Sequence, residues 1–157
     1  KHITTTSKIP DKVKFNHDEI GFNYRLPNLN SAMGCAQISS LEPILKLKRN
    51  LAHKYMDLLK ETNLVFVKEP KNSKSNYWLN TILAENISHR DSIIKTFNEF
   101  NIFARPAWGL MHKQKMYKNC IKGDLENTLY LSERIINIPS GVNIKDLNLE
   151  EGQKNDD

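Results

Sequence analysis

The chain is poor in the residues that staple or interrupt small folds. Its 157 residues include only two cysteines, six glycines, six prolines and two tryptophans. Cys35 and Cys120 lie far apart and form no Cys-x-x-Cys pair, which excludes a disulfide framework and a thiolate metal cluster. Free, mostly buried thiols in a reducing cytoplasm are the expectation. His2, His17, His53, His89 and His112 keep none of the spacings of a metal site, so no metal is expected. No apolar run approaches the ~20 residues of a membrane span. The opening Lys1-His2-Ile3-Thr4-Thr5-Thr6 also lacks the apolar core of a secretory signal, so no membrane partner is expected. The chain begins without methionine, and a fragment of a longer protein is the expectation.

What is present describes a soluble globular chain long enough for one cored domain, 39% apolar and 26% charged. The net charge of +5 arises from 23 basic and 18 acidic residues. Lys46, Lys48, Lys54, Lys60, Lys68, Lys71 and Lys74 are dispersed among acids rather than gathered into one field. No strip of alternating basic and aromatic residues appears, so the charge reads as a solvated surface and no nucleic-acid partner is expected.

Hydrophobic periodicity is absent before Leu29, and residues 1–28 read as an extended or irregular lead-in. A helix is expected from there, capped by Asn28 or Asn30 and broken near Glu42 by Pro43. A long second helix follows from Ile44, Leu45, Leu51, Ala52, Tyr55, Leu58 and Leu59. Leu64–Val67 and Tyr77–Ala84 read as strands joined by a polar turn. Ser88 is expected to cap a helix with Ile93, Ile94, Phe97 and Phe100 on one face. Ile102–Arg105 reads as a strand halted by Pro106, and residues 107–123 as a loop with a short helical turn. Asp124 should start a fourth helix with Leu125, Leu129, Ser132, Ile135 and Ile136 on one side, and Ile136–Ile138 a last strand. The expected class is α+β: a small, mostly antiparallel sheet covered on one face by helices, spanning residues 29–149, with a polar tail at 150–157.

Two segments are rich in groups able to do chemistry. Gly21-Phe22-Asn23-Tyr24-Arg25 places an amide, a phenol and a guanidinium before a helix entrance, with small residues following. It reads either as a plain turn, with Asn23 in left-handed geometry and Arg25 paired to Glu19, or as an anion site near a helix N-terminus. Arg105-Pro106-Ala107-Trp108 through His112 offers a charge, a flat stacking surface and a proton-exchanging ring on one loop. Its plainer reading is a packed loop with Trp108 closing the core edge. Ile138-Pro139-Ser140-Gly141 reads as a strand end and a turn. No nucleophile–base arrangement or phosphate-binding glycine loop is present.

These segments resemble, in order, those of the DegT-type pyridoxal-phosphate sugar-nucleotide aminotransferases. His17 through Arg25-Leu26 to Gln37 and Leu41 is similar to the family's G-[YF]-N-Y-R run. Arg105 to His112 is similar to its R-P-x-W…H loop, and Leu131-Ser132-Glu133-Arg134 to Pro139-Ser140 to the approach to its final strand. The resemblance implies the C-terminal small domain of a fold-type-I aminotransferase, with the lead-in arriving from a large cofactor domain. It also implies pyridoxal 5'-phosphate as cofactor, a homodimer with shared active sites, glutamate as amino donor and a keto-deoxy nucleotide sugar as acceptor. Asn23 and Arg25 would serve the cofactor phosphate, and Tyr24, Arg105, Trp108 and His112 the substrate. The family's Schiff-base lysine lies upstream of the Gly21 run; Lys1, Lys8, Lys12 and Lys14 do not sit in its motif, so the chain alone would be inactive. The competing expectation is a non-catalytic dimerisation or interaction module without cofactor chemistry.

Overall fold

The computed structural model describes residues 2–143, so the tail at 150–157 and the last residues of the expected domain lie outside the described part. Four short antiparallel strands form one sheet in the order β1-β2-β4-β3. They are β1 (Val65–Phe66), β2 (Asn80–Leu83), β3 (Arg105–Pro106) and β4 (Ile135–Ile138). The central ladder pairs Ile82 with Ile136 and Asn80 with Ile138. Because side chains alternate along a strand, those four residues share one face, and all four are buried. Thr81, Leu83, Ile135 and Asn137 occupy the other face and are only half-buried.

Helices α2 (Leu41–Leu58) and α3 (Ile87–Glu99) cover the buried face. Ala52, Tyr55 and Met56 from α2, and Ile93, Ile94 and Phe97 from α3, pack on Ile82, Ile136 and Ile138. This is the expected α+β arrangement of a small antiparallel sheet under helices.

Several boundaries differ from expectation for identifiable reasons. Helix α1 (Asn28–Ile38) starts after Pro27 with no side-chain cap, rather than behind Asn28 or Asn30. The break precedes Pro43 and falls at Ser39–Ser40, so that the proline sits in the first turn of α2, where its missing N–H costs no helical bond. Asn86, not Ser88, caps α3, its Oδ1 accepting from the His89 amide at 2.9 Å. Tyr77 adopts a φ of 44°, which ends the extended run and confines β2 to four residues. Pro106 lies inside β3 rather than beyond it, tolerated because that strand is an edge. Helix α4 (Glu126–Ser132) stops early, and Ile135 and Ile136 join β4, where pairing with β2 buries Ile136 completely. Cys35 and Cys120 are free but exposed, against the expected burial.

The sheet's end is closed by a polar clamp. Ser140 Oγ accepts from the Asn80 amide at 2.7 Å and donates to the Ile138 carbonyl at 2.8 Å. Lys48 reaches from α2 to the carbonyls of Ser140 and Trp78, and burial lowers its pKa. Ile138–Gly141 is therefore the strand end and turn its residues suggested, with a structural task for the hydroxyl. Ser140→Ala leaves the buried Asn80 amide without its acceptor and is expected to cost about 1–3 kcal/mol, read as a lowered urea midpoint at unchanged slope.

Candidate functional site

The Gly21–Arg25 turn is pinned to the lead-in by backbone bonds. Phe22, Asn23 and Tyr24 amides donate to the carbonyls of Ile3, Thr5 and Thr4 at 2.9, 2.8 and 2.9 Å. A Cβ on Gly21 would stand 2.6 Å from the Thr5 oxygen and 2.7 Å from Thr6 Cα, so only glycine permits this approach. The small residue thus admits the chain's own backbone, whereas Gly34 on α1 has nothing within 4 Å.

Asn23 takes the left-handed conformation, with a φ of 51°. Its side-chain amide makes no hydrogen bond among the described residues. Arg25 reaches Thr6 Oγ1 at 3.4 Å and does not pair with Glu19. Tyr24 stacks on Phe22 with centroids 6.0 Å apart, and all three side chains of Asn23-Tyr24-Arg25 are exposed. The turn therefore presents the Asn23 side-chain amide and the remaining Arg25 guanidinium donors to its surroundings. Nothing among the described residues encloses them. Helix α1 behind it buries no residue and leaves Leu29, Met33 and Ile38 exposed.

Arg105 and Trp108 lie elsewhere, on the open face of the sheet. Arg105 pairs across from Asn137, so the two project from the face opposite the helices. With Trp78, Trp108, Phe15 and Phe103 they line a cleft of about 430 Å³. Trp108 also forms the wall of a neighbouring, mostly apolar cleft of about 670 Å³ that contains His112, Tyr117, Cys120 and Lys122. His112 stands on a short 3-10 turn (Met111–Lys113) of the loop. The structure thus joins Arg105 to Trp108 in one cleft and Trp108 to His112 in the next, and Asn23, Tyr24 and Arg25 line neither of these two clefts.

A polar path connects the two groups. His17 donates from its backbone to Gln114 Oε1 at 3.3 Å and from Nδ1 to the Thr6 carbonyl, while Thr6 Oγ1 receives Arg25. The Gly109 amide donates to the Phe15 carbonyl at 3.4 Å, and a Cβ on Gly109 would meet Gln114, Asn16 and Phe15 within 3.2 Å. The lead-in is therefore a wall of the cleft, contributing Phe15, which the sequence pattern did not single out. Trp78 and Phe103 were also missed as cleft residues. Their only sequence signal is a large aromatic residue beside a short strand, which a buried core residue would show equally.

The loop before Trp78 is tied by Glu69, which takes Arg49 at 2.7 and 3.0 Å and the Ser75 amide at 2.7 Å. Among the described residues no helix is long and apolar enough to cross a membrane.

A model of the DegT/DnrJ/EryC1/StrS aminotransferase family matches residues 3–151. EpsN of Bacillus subtilis (strain 168), whose assigned name is that of a pyridoxal phosphate-dependent aminotransferase, is 33% identical over 137 residues, 84% of this chain and 35% of that protein. GDP-perosamine synthase of Vibrio cholerae is 30% identical over 143 residues, 88% of this chain and 38% of that protein. The chain therefore spans little more than a third of the length of these curated relatives. Among solved structures, Helicobacter pylori PseC, an aminotransferase of pseudoaminic acid biosynthesis, superposes with a TM-score of 0.66 at 17% identity, covering 94% of this chain and 42% of that one. At that identity the likeness concerns the fold.

Arg49, followed by the Ser75 amide, holds the Glu69 carboxyl down from 4.5 to about 2. A carboxyl depressed on folding contributes stability that is complete above its unfolded value and lost as pH falls toward the folded one. The Glu69 carboxyl is expected to titrate near 2 by NMR, and Glu69→Gln should remove its share of the stability lost between pH 4.5 and 2.

Proposed function

The chain belongs to the DegT/DnrJ/EryC1/StrS aminotransferase family, and on that premise we propose that it is the C-terminal portion of a pyridoxal-phosphate enzyme. The complete enzyme would move an amino group from glutamate to a keto-deoxy nucleotide sugar, as a homodimer in the cytoplasm, for polysaccharide or nonulosonic acid synthesis. The observation that carries this reading is the Gly21–Arg25 turn, which is held on Ile3, Thr4 and Thr5 by backbone bonds while its Asn23 amide and most of the Arg25 guanidinium face outward.

The donors present fit the phosphate end of the cofactor. The Asn23 amide and Arg25 guanidinium are adjacent, exposed and without an acidic partner among the described residues. In an assembled dimer Asn23 would hold the cofactor phosphate of the neighbouring subunit, and Arg25 would support the same turn or meet substrate phosphate. When bound, pyridoxal phosphate supplies the electron sink that lets nitrogen pass between donor and acceptor. Arg105 neutralises substrate charge, Trp108 and Tyr24 offer flat surfaces to the sugar nucleotide, and His112 donates a hydrogen bond from the loop. The lysine that anchors the cofactor belongs to sequence outside this chain.

Incubated with pyridoxal phosphate, treated with borohydride and freed of excess, the 157-residue chain is expected to carry no pyridoxyl group by mass spectrometry. A labelled Lys8, Lys12 or Lys14 would overturn the assignment of the anchoring lysine. In the complete polypeptide, Asn23→Ala should weaken cofactor retention by about tenfold or more, as expected for loss of one hydrogen bond to a charged group. Unchanged retention, with glutamate failing to convert the cofactor to its amino form, would favour a non-catalytic interaction module.

A further inference from the structure

Gln114 is a polar side chain that the fold hides, only 8% exposed. It sits between two short 3-10 turns, Met111–Lys113 and Lys115–Tyr117, on the loop that carries Trp108 and His112. Its backbone is spent locally: the amide donates to the Met111 carbonyl at 3.0 Å, and the carbonyl accepts from the Tyr117 amide at 3.0 Å. The side chain instead crosses to the lead-in, where Oε1 accepts from the His17 amide at 3.3 Å, 97 positions away in sequence. A residue that only filled the loop would need no acceptor there, and methionine would fill the same space.

The seam around this side chain is tight. A Cβ on Gly109 would stand 2.9 Å from Gln114 Nε2, 3.1 Å from Asn16 Oδ1 and 3.2 Å from the Phe15 carbonyl oxygen. Glycine there lets the loop, the Gln114 amide and residues 15–17 meet at one point. From His17 the bonds continue into the turn. Its Nδ1 donates to the Thr6 carbonyl, and Thr6 Oγ1 accepts from Arg25 at 3.4 Å. The adjoining Thr5 carbonyl accepts from the Asn23 amide at 2.8 Å. The Phe15–Trp108 ring contact also joins lead-in and loop, with centroids 5.8 Å apart. Rings can slide over one another, however, whereas a bond to one backbone N–H fixes the register.

We propose that Gln114 is a positioning residue, which sets the spacing between the turn of Asn23 and Arg25 and the loop of Trp108 and His112. It acts through His17 and Thr6 and touches neither cofactor nor substrate. The seam matters to chemistry because a displacement of about 1 Å between groups that hold reactants can cost about a hundredfold in rate. A chain of bonds that includes one buried amide is a contiguous route for such a displacement. The functional sense of the inference rests on the reading of Asn23 and Arg25 given above, whereas the coupling of loop to turn does not.

Hydrogen exchange of the complete polypeptide without cofactor, resolved by peptide mass spectrometry, tests the coupling. Gln114→Met keeps the volume and loses the acceptor. It is expected to speed exchange about tenfold at residues 21–25 while the β2 and β4 peptides exchange as in the wild type. Gln114→Glu retains an acceptor oxygen for the His17 amide and should bring the turn back to within about threefold. Gly109→Ala sets its Cβ against the Gln114 amide and should open the turn as Gln114→Met does, the double variant being no more open than either. Pyridoxal phosphate retention should fall about tenfold with Gln114→Met and recover with Gln114→Glu. A turn as protected in Gln114→Met as in the wild type, or Gln114→Glu no better than Gln114→Met, would overturn the assignment. Equal loss of protection in β2 and β4 would also overturn it, since Gln114 would then be an ordinary packing residue. Retention unchanged by Gln114→Met but lowered by Asn23→Ala would sink this inference alone. A turn opened by Gln114→Met, with retention unchanged by Asn23→Ala, would uphold the coupling and sink the cofactor reading alone.

Discussion

Ile82 and Ile136 face one another across the β2–β4 ladder, both essentially removed from water, and the remaining elements are arranged around that contact. Each such side chain contributes roughly 1.5–3 kcal/mol by burial, and α2 and α3 are recruited to complete its coverage. The ladder needs an end stop, because the β4 chain turns away after Ile138 and would strand the Asn80 amide. Ser140 supplies the acceptor, and Lys48 ties the same corner to α2. The corner thereby also sets where Trp78 emerges, so core packing reaches directly into the open cleft.

One face of the sheet is spent on the core, and the other stays half-open beside a cleft. Antiparallel sheets permit this division because alternate residues of a strand serve opposite faces. Arg105 and Asn137 are opposite one another in register and therefore arrive together on the open side. The lead-in then folds across the rim, bringing Phe15 under Arg105 and against Trp108. It is tied to the same loop through His17 and Gln114, and to the Asn23 turn through Thr4, Thr5 and Thr6. A segment without periodicity is thus what links the turn to the cleft.

Much of this fold was legible from local pattern. The long α2 helix and the α3 face followed from apolar spacing near 3.6, and the strands around Val65, Thr81 and Asn137 from short β-branched runs. Left-handed geometry at Asn23 followed from its residue type. Boundaries were less legible. Ile135 and Ile136 fit a helical face as well as a strand, and only the partner strand β2 makes the strand the better burial. Ser88 and Asn86 are both good caps, and the choice depends on where the chain leaves β2. Of the cleft-lining residues, Arg105, Trp108 and His112 stood out because charged, aromatic and imidazole groups crowd one loop. Phe15, Trp78 and Phe103 did not, since an aromatic residue beside a strand looks the same whether it faces core or cleft.

By itself the sequence determined the class of fold, the kinship and the chemical inventory, because these depend on residue type and short-range spacing. The Gly21–Arg25 run and the Arg105–His112 loop carry that information within a few residues each. Only the tertiary structure decided that Gly21 makes room for the chain's own threonines, and that Arg105 lies over the Phe15 and Phe103 rings with no carboxylate beside it among the described residues. Those outcomes depend on strand register and on contacts between segments almost a hundred residues apart, such as His17 with Gln114. No local spacing encodes such a pairing.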